Sequence, residues 1–124
     1  MYSAQVLDHF QNPRNPGEVS DPDAIAEIEN PACGDMLRLT LKIEAGRIAE
    51  IRFKAKGCVA SIACASALTE LVRGRAVDEV RLQNGGSSIG QKLIAALGGL
   101  PQASTHAAQL ALDALSAALS TLKP

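Results

Sequence analysis

The clearest periodic signal in the chain runs from Met36 to Glu44, where Leu37, Leu39, Leu41 and Ile43 alternate with Arg38, Thr40, Lys42 and Glu44. Apolar residues at every second position predict a strand with one buried face. Glu44-Ala45-Gly46-Arg47 supplies a turn, and residues 48–55 return with Ile51, Phe53 and Ala55 in phase. Ile48 falls out of that phase, which predicts a longer loop or a bulge. Residues 24–29 read as a further short strand, so the economical arrangement is an antiparallel meander covered on one face. Val6, Leu7 and Phe10 mark an amphipathic helix over residues 2–11. Asn12-Pro13-Arg14-Asn15-Pro16-Gly17 stops it, because two prolines and a glycine cannot continue a helix. After Gly57 an alanine-rich stretch, 59–73, predicts a helix ended by Gly74, and residues 77–82 add about a turn and a half more. Asn84-Gly85-Gly86-Ser87-Ser88 reads as a loop. Ile89, Leu93, Ile94 and Leu97 then mark a helix closed by Gly98-Gly99. Leu112, Leu115, Leu119 and Leu122 place the last helix over 105–122, with Ser104 or Thr105 as its cap. Strands grouped early and helices grouped late predict an α+β fold with the helices on one sheet face.

Composition narrows the function classes. At 124 residues the chain is expected to form one domain, residues 1–124, around a single modest core. A net charge of -1 and a pI near 6.1 give no electrostatic basis for binding nucleic acid or an anionic membrane. The aromatic residues are Tyr2, Phe10 and Phe53, too few for a base-stacking platform. No apolar run approaches the roughly 20 residues of a membrane span, and MYSAQVLDHF lacks the basic start and apolar stretch of a signal peptide. Cytoplasmic location is the expectation.

The chemistry concentrates at junctions. Three cysteines cannot all pair internally, so in a reducing compartment each is a packed thiol, a reactive thiolate or a metal ligand. Cys33 lies in the turn Pro31-Ala32-Cys33-Gly34-Asp35, where Gly34 can take a positive φ. Cys58 falls in the first turn of the helix after Gly57, where unpaired N–H groups and the helix dipole favour a thiolate. Asp35 follows Cys33 by two residues, and His106 opens the last helix. Two sulfurs, an imidazole and a carboxylate suit Zn²⁺ or the iron of an iron–sulfur centre. Each residue also has a plainer reading. Cys58 can be a packed thiol, Asp35 a turn residue satisfying backbone N–H groups, and His106 a helix-start decoration. Cys64 stands six residues beyond Cys58 and, at roughly 100° per residue, points away from it. It reads as packed or as a support to the ligands rather than as one of them. His9, beside Asp8, reads as solvent-facing.

These residues also carry a resemblance over nearly the whole chain. Tyr2-Ser3, Val6, Asp8-His9-Phe10 and Asn12-Pro13-Arg14-Asn15 resemble the N-terminal signature of the iron–sulfur cluster assembly scaffold family, of the IscU type and the NifU N-terminal domain. Pro31-Ala32-Cys33-Gly34-Asp35, Phe53-Lys54-Ala55-Lys56-Gly57-Cys58, Ser61-Ile62-Ala63, Leu68-Thr69-Glu70, Gly74 and Gly98-Gly99-Leu100-Pro101 extend it. The resemblance implies a SufE/NifU-like α+β fold with a three-stranded antiparallel sheet and packed helices. It implies a non-enzymatic scaffold that receives sulfur from a cysteine desulfurase, takes iron and electrons from donors, and passes a [2Fe–2S] cluster to acceptor apoproteins. By position, Cys33, Asp35, Cys58 and His106 match residues that bind metal or cluster, the aspartate being associated with cluster lability. The resemblance also implies that zinc can take the same site in the isolated protein.

The departures are as informative. Where the family has His-Cys-Ser, this chain has His106-Ala107-Ala108, so the third family cysteine is absent. The segment that docks the family's Hsp70-type chaperone reads Leu100-Pro101-Gln102-Ala103-Ser104, so the resemblance does not carry that partner over. Cys64 stands where serine is usual, and the insertion of the zinc-dependent SufU branch is missing. Three readings follow: a divergent scaffold binding iron, a labile [2Fe–2S] cluster or zinc; a sulfur-transfer accessory carrying persulfide on Cys58; or a regulatory binding module of the assembly machinery.

Overall fold

The alternation from Met36 onwards becomes the central strand of a three-stranded sheet. β2 (Asp35–Glu44) lies between β1 (Ala24–Asn30) and β3 (Arg47–Lys56) and is antiparallel to both. The computed structural model describes residues 2–30, 34–85 and 88–122. Leu37, Leu39 and Leu41 of β2, with Ile51 and Phe53 of β3, form the buried face. Burial of each such side chain contributes about 1.5–3 kcal/mol.

Ala45 and Gly46, both with positive φ (52° and 74°), turn β2 into β3, as two-residue hairpin loops of right-handed strands require. Lys42 pairs with Glu50 but Ile43 pairs with Ile48, which leaves Ala49 as the extra residue of a bulge. The bulge explains the phase break: it lets Ile48 be fully buried three residues before Ile51. The hairpin tip is fastened to the connection after α2 (Val59–Val72) by Gly74 N–H to Ile48 O at 2.7 Å and Val77 N–H to Gly46 O at 2.9 Å.

Alanines set the helix packing. α2 lies over β3, and the final helix, α5 (Thr105–Ser120), lies over β1 and β2. Ala60, Ala63 and Ala67 of α2 and Ala107, Ala111, Ala114 and Ala118 of α5 are buried, so the helices seat against the sheet and each other through small side chains. α1 (Ala4–Gln11) packs on α2, with Ser3 capping it through Val6 N–H at 3.0 Å. α3 (Val77–Gly85) and α4 (Ser88–Ala96) pack on each other and against α5. The loop expected over 84–88 is therefore largely helical at both ends, while Gly86 and Ser87 lie outside the described residues. A 3₁₀ turn, Gln102–Ser104, precedes α5. Ser104 holds the cap position without a side-chain cap bond, and Thr105 Oγ1 donates instead to Gln102 O at 3.0 Å. None of the described helices is long and apolar enough to cross a membrane.

Residues 12–23 form a strap whose contacts correct two sequence expectations. Asn15 and Gly17 pair with Phe53 on the outer edge of β3, Val19 N–H donates to Thr40 Oγ1 at 2.8 Å, and Asp23 N–H reaches Leu41 O. The strap thus crosses the face opposite the helices and buries Thr40, which alternation alone assigns to solvent. His9 is buried as well, because α1 turns it onto α2. Its Nδ1 lies 2.8 Å from Ser66 Oγ, which also accepts from Arg14 N–H at 2.8 Å. Ser66 thus has its hydroxyl proton to give to Nδ1, which assigns the ring proton to Nε2, facing Glu70 Oε1 at 3.9 Å.

Burial lowers the His9 pKa from its ordinary value, aided by the charge of Arg14 and opposed by those of Glu70 and Asp8. Protonation is then easier in the unfolded chain than in the folded one. The contribution of His9 is intact above pH 6.5 and lost as pH falls through the lower folded value. Denaturant unfolding at pH 7.5 and pH 5 should show a loss of stability on acidification that shrinks in His9→Asn, whose amide oxygen accepts from Ser66 without titrating. An equal pH dependence in the two proteins would contradict the assignment.

Candidate metal centre

The β2–β3 pairing builds the site. Met36 lies opposite Lys56, so the next residues outward, Asp35 and Gly57, meet at the end of the hairpin. Gly57 has φ +149°, and a Cβ there would lie 2.7 Å from Asp35 Cγ. Glycine is required because the carboxylate occupies the space a side chain would fill. The chain then turns into α2 with Cys58 as the N-cap residue, φ -75° and ψ 171°, one position ahead of the first helical turn expected from the sequence. His106 arrives from the start of α5, the helix that covers β1 and β2.

Three donors converge from these three places. Ligand atoms of Asp35, Cys58 and His106 all lie within 4.8 Å of one another. Asp35 Oδ2 is 3.9 Å from Cys58 Sγ and 3.5 Å from His106 Nε2. Asp35 is only 4% exposed, whereas Cys58 is half-buried and the His106 side chain is 39% exposed. His106 Nδ1 lies 3.1 Å from Ala103 O, and donation of its proton to that carbonyl leaves the Nε2 lone pair facing Asp35. A backbone acceptor on the far nitrogen is the usual device for fixing a ligating imidazole. The centre of the cleft is therefore electron-rich, with a carboxylate oxygen, an imidazole nitrogen and a sulfur directed together.

The spacing fits a cation. Tetrahedral zinc, with bonds of about 2.3 Å to sulfur and about 2.0–2.1 Å to nitrogen or oxygen, separates its ligand atoms by about 3.3–3.5 Å. The separations from Asp35 Oδ2 match that or exceed it by a few tenths of an ångström, and the third, between sulfur and imidazole nitrogen, is at most 4.8 Å. His106 also borders a cavity of about 300 Å³ lined by Ile28, Glu29, Asn30, Gln109, Leu110 and Asp113.

The remaining candidates are placed differently. Cys33 lies outside the described residues, while Gly34 takes the positive φ expected of it, 77°. Cys64 is fully buried in the core, and burial, with a smaller effect from Cys58, pushes its thiol pKa up to about 12. It is a packed, protonated thiol. Ala107, 1% exposed, turns into the core beside His106.

Ser61 is a site residue that sequence reasoning does not single out. Its hydroxyl lies 2.6 Å from Asp35 Oδ2 and 3.3 Å from Cys58 Sγ. The one readable signal is positional: a polar residue three beyond Cys58 shares its helix face.

A two-layer α+β fold with a cleft of soft and hard donors at one end of its sheet is the class that fold and site define. Residues 1–123 match the family described as "NifU-like N terminal domain", and the chain belongs to that family. It is 42% identical over 120 residues to the iron-sulfur cluster assembly scaffold protein IscU 1 of Archaeoglobus fulgidus, covering 96% of this chain and 74% of that relative. It is 39% identical over 127 residues to the iron-sulfur cluster assembly scaffold protein IscU of Azotobacter vinelandii, covering 98% and 94% of the two chains. Its fold is similar to the crystal structure of a nitrogen-fixing NifU-like protein (N-terminal) from Brucella abortus, with a TM-score of 0.75, 20% identity and coverage of 96% and 92%.

Gly57→Ala is the sharpest test of how the site is built. It places a Cβ in a glycine-favouring conformation and against the buried carboxylate. Urea unfolding should show a loss of about 1–3 kcal/mol. An unchanged midpoint would mean that Asp35 is not held against this turn.

Proposed function

We propose that the chain is an iron–sulfur cluster assembly scaffold in which Cys33, Asp35, Cys58 and His106 hold iron or a labile [2Fe–2S] cluster as cargo, or zinc in the isolated protein. The observation that carries this reading is the convergence of Asp35, Cys58 and His106 within 4.8 Å, in a chain that belongs to the NifU-like N-terminal family. Residues 1–124 work as one scaffold domain. The donor set suits a temporary holder of metal, because thiolate binds iron and zinc strongly while carboxylate and imidazole are harder ligands that exchange more readily. Ala107 offers no donor, so at most two thiolates, Cys33 and Cys58, serve the cargo. A partly exposed site with so few sulfurs favours release over storage, as a transient carrier requires.

The chain itself cleaves no bond in this mechanism. A cysteine desulfurase supplies sulfur, donors supply iron and electrons, and apoproteins accept the product, all in the cytoplasm. The half-buried Cys58 thiol, contrasted with the buried Cys64, supports a second reading in which Cys58 carries persulfide for another scaffold. Alkylation after desulfurase treatment, followed by peptide mapping, separates the two.

Anaerobic reconstitution with Fe³⁺ and sulfide, which balance to [2Fe–2S]²⁺ without a further oxidant, should give the visible absorbance of a protein-bound cluster. Cys58→Ala should lose most of it, and Cys64→Ala should retain it. Failure of the parent protein to build a cluster while it binds zinc tightly would replace the scaffold reading with a zinc module.

A further inference from the structure

Asp35 is the buried member of the cleft, and its burial places a demand on its surroundings. Its carboxylate is buried, and the same oxygen, Oδ2, faces both Cys58 Sγ and His106 Nε2. A buried carboxylate without strong hydrogen bonds is costly, and one free to rotate would not present that oxygen to the cleft. Ser61 contributes to both. It is the third residue of α2 and 4% exposed, on the same helix face as the N-cap residue Cys58. At 2.6 Å its hydroxyl donates to Asp35 Oδ2 in a short, charge-assisted bond. With its only proton committed there, Ser61 Oγ can only accept from Cys58 Sγ at 3.3 Å, and the same thiol also faces Asp35 Oδ2 at 3.9 Å. One hydroxyl thereby contacts two side chains that come from different elements.

We infer that Ser61 is a positioning residue for the metal centre, its hydroxyl holding Asp35 and Cys58 in register before the cation arrives. The inference rests on the metal-centre reading above and goes beyond it by assigning this serine a role in affinity without placing it among the ligands. The hydrogen bond also occupies one lone-pair direction of Oδ2, the oxygen that faces His106. The histidine is oriented by a backbone carbonyl of its own segment, whereas Asp35 is oriented by a side chain from across the β3–α2 junction.

The test is a zinc titration of the metal-free protein against a competing chelator, with circular dichroism on each variant to establish folding. Ser61→Ala should stay folded and bind Zn²⁺ about 10–100-fold more weakly, the usual loss when a group supporting a ligand is removed. Ser61→Thr, which keeps the hydroxyl, should recover affinity to within a few-fold of the parent. Co²⁺ in place of zinc should show a shifted sulfur-to-metal charge-transfer band in Ser61→Ala and the parental band in Ser61→Thr, a signature that a purely structural serine would not move. Parental or tighter zinc affinity in Ser61→Ala would overturn the inference, as would equal weakening in both variants. Cys58→Ala in the same titration keeps the two readings apart. If it binds as the parent does, the metal centre itself fails and the role of Ser61 falls with it. If it loses zinc while Ser61→Ala does not, only the positioning role fails.

Discussion

The antiparallel register between β2 and β3 is the constraint on which everything else depends. Leu37, Leu39 and Leu41 face the core only because they pair with Ala55, Phe53 and Ile51, and the same register delivers Asp35 to Gly57 at the hairpin's open end. A slip of one residue would turn the leucines to the strap side and separate the carboxylate from the Cys58 junction. Core packing therefore enforces the geometry of the cleft. The bulge at Ala49 sits at the opposite end of the hairpin, where it re-phases Ile48 without disturbing the pairs that lead to Asp35.

The cleft combines a rigid interior with an accessible rim. Asp35 and Ser61 are buried and bonded to each other, while Cys58 is half-buried and His106 more open. For a proposed carrier this division is useful: the interior fixes where a cation sits, and the rim lets a partner reach it. Alanine packing on α2 and α5 serves the same end, since it brings the start of α5, and with it His106, close to the end of the sheet. The strap and the His9–Ser66 contact tie α1 and the segment after it to α2.

Much of this is legible in the residues. Alternation locates β2, the out-of-phase Ile48 foretells the bulge, and the glycines at 57 and 74 mark real element ends. Period-two and helical patterns place Thr40 and His9 in solvent because each pattern describes one element at a time. Their burial comes from chain segments distant in sequence, the strap for one and α2 for the other. The same limit hides Ser61. Its distance from Cys58 is local and readable, but its bond to Asp35 spans 26 positions and forms only once β3 and α2 are in place. The glycines and serines of 84–88 point to a loop, yet the helices' packing on α5 carries helix into both ends of that stretch. The convergence of Asp35 and His106 follows from the family resemblance, whereas residue spacing alone leaves each with a plainer role.

A preformed cleft between the β2 start, the β3–α2 junction and the α5 start is what the proposed function requires. Anomalous diffraction at the zinc edge from crystals of the zinc-loaded protein tests it most directly. The expected result is a single strong peak bonded to Cys33, Asp35, Cys58 and His106, at about 2.0–2.3 Å from their ligand atoms, with β2, β3 and α2 unmoved. A peak elsewhere, or zinc bound only after these elements separate, would contradict it.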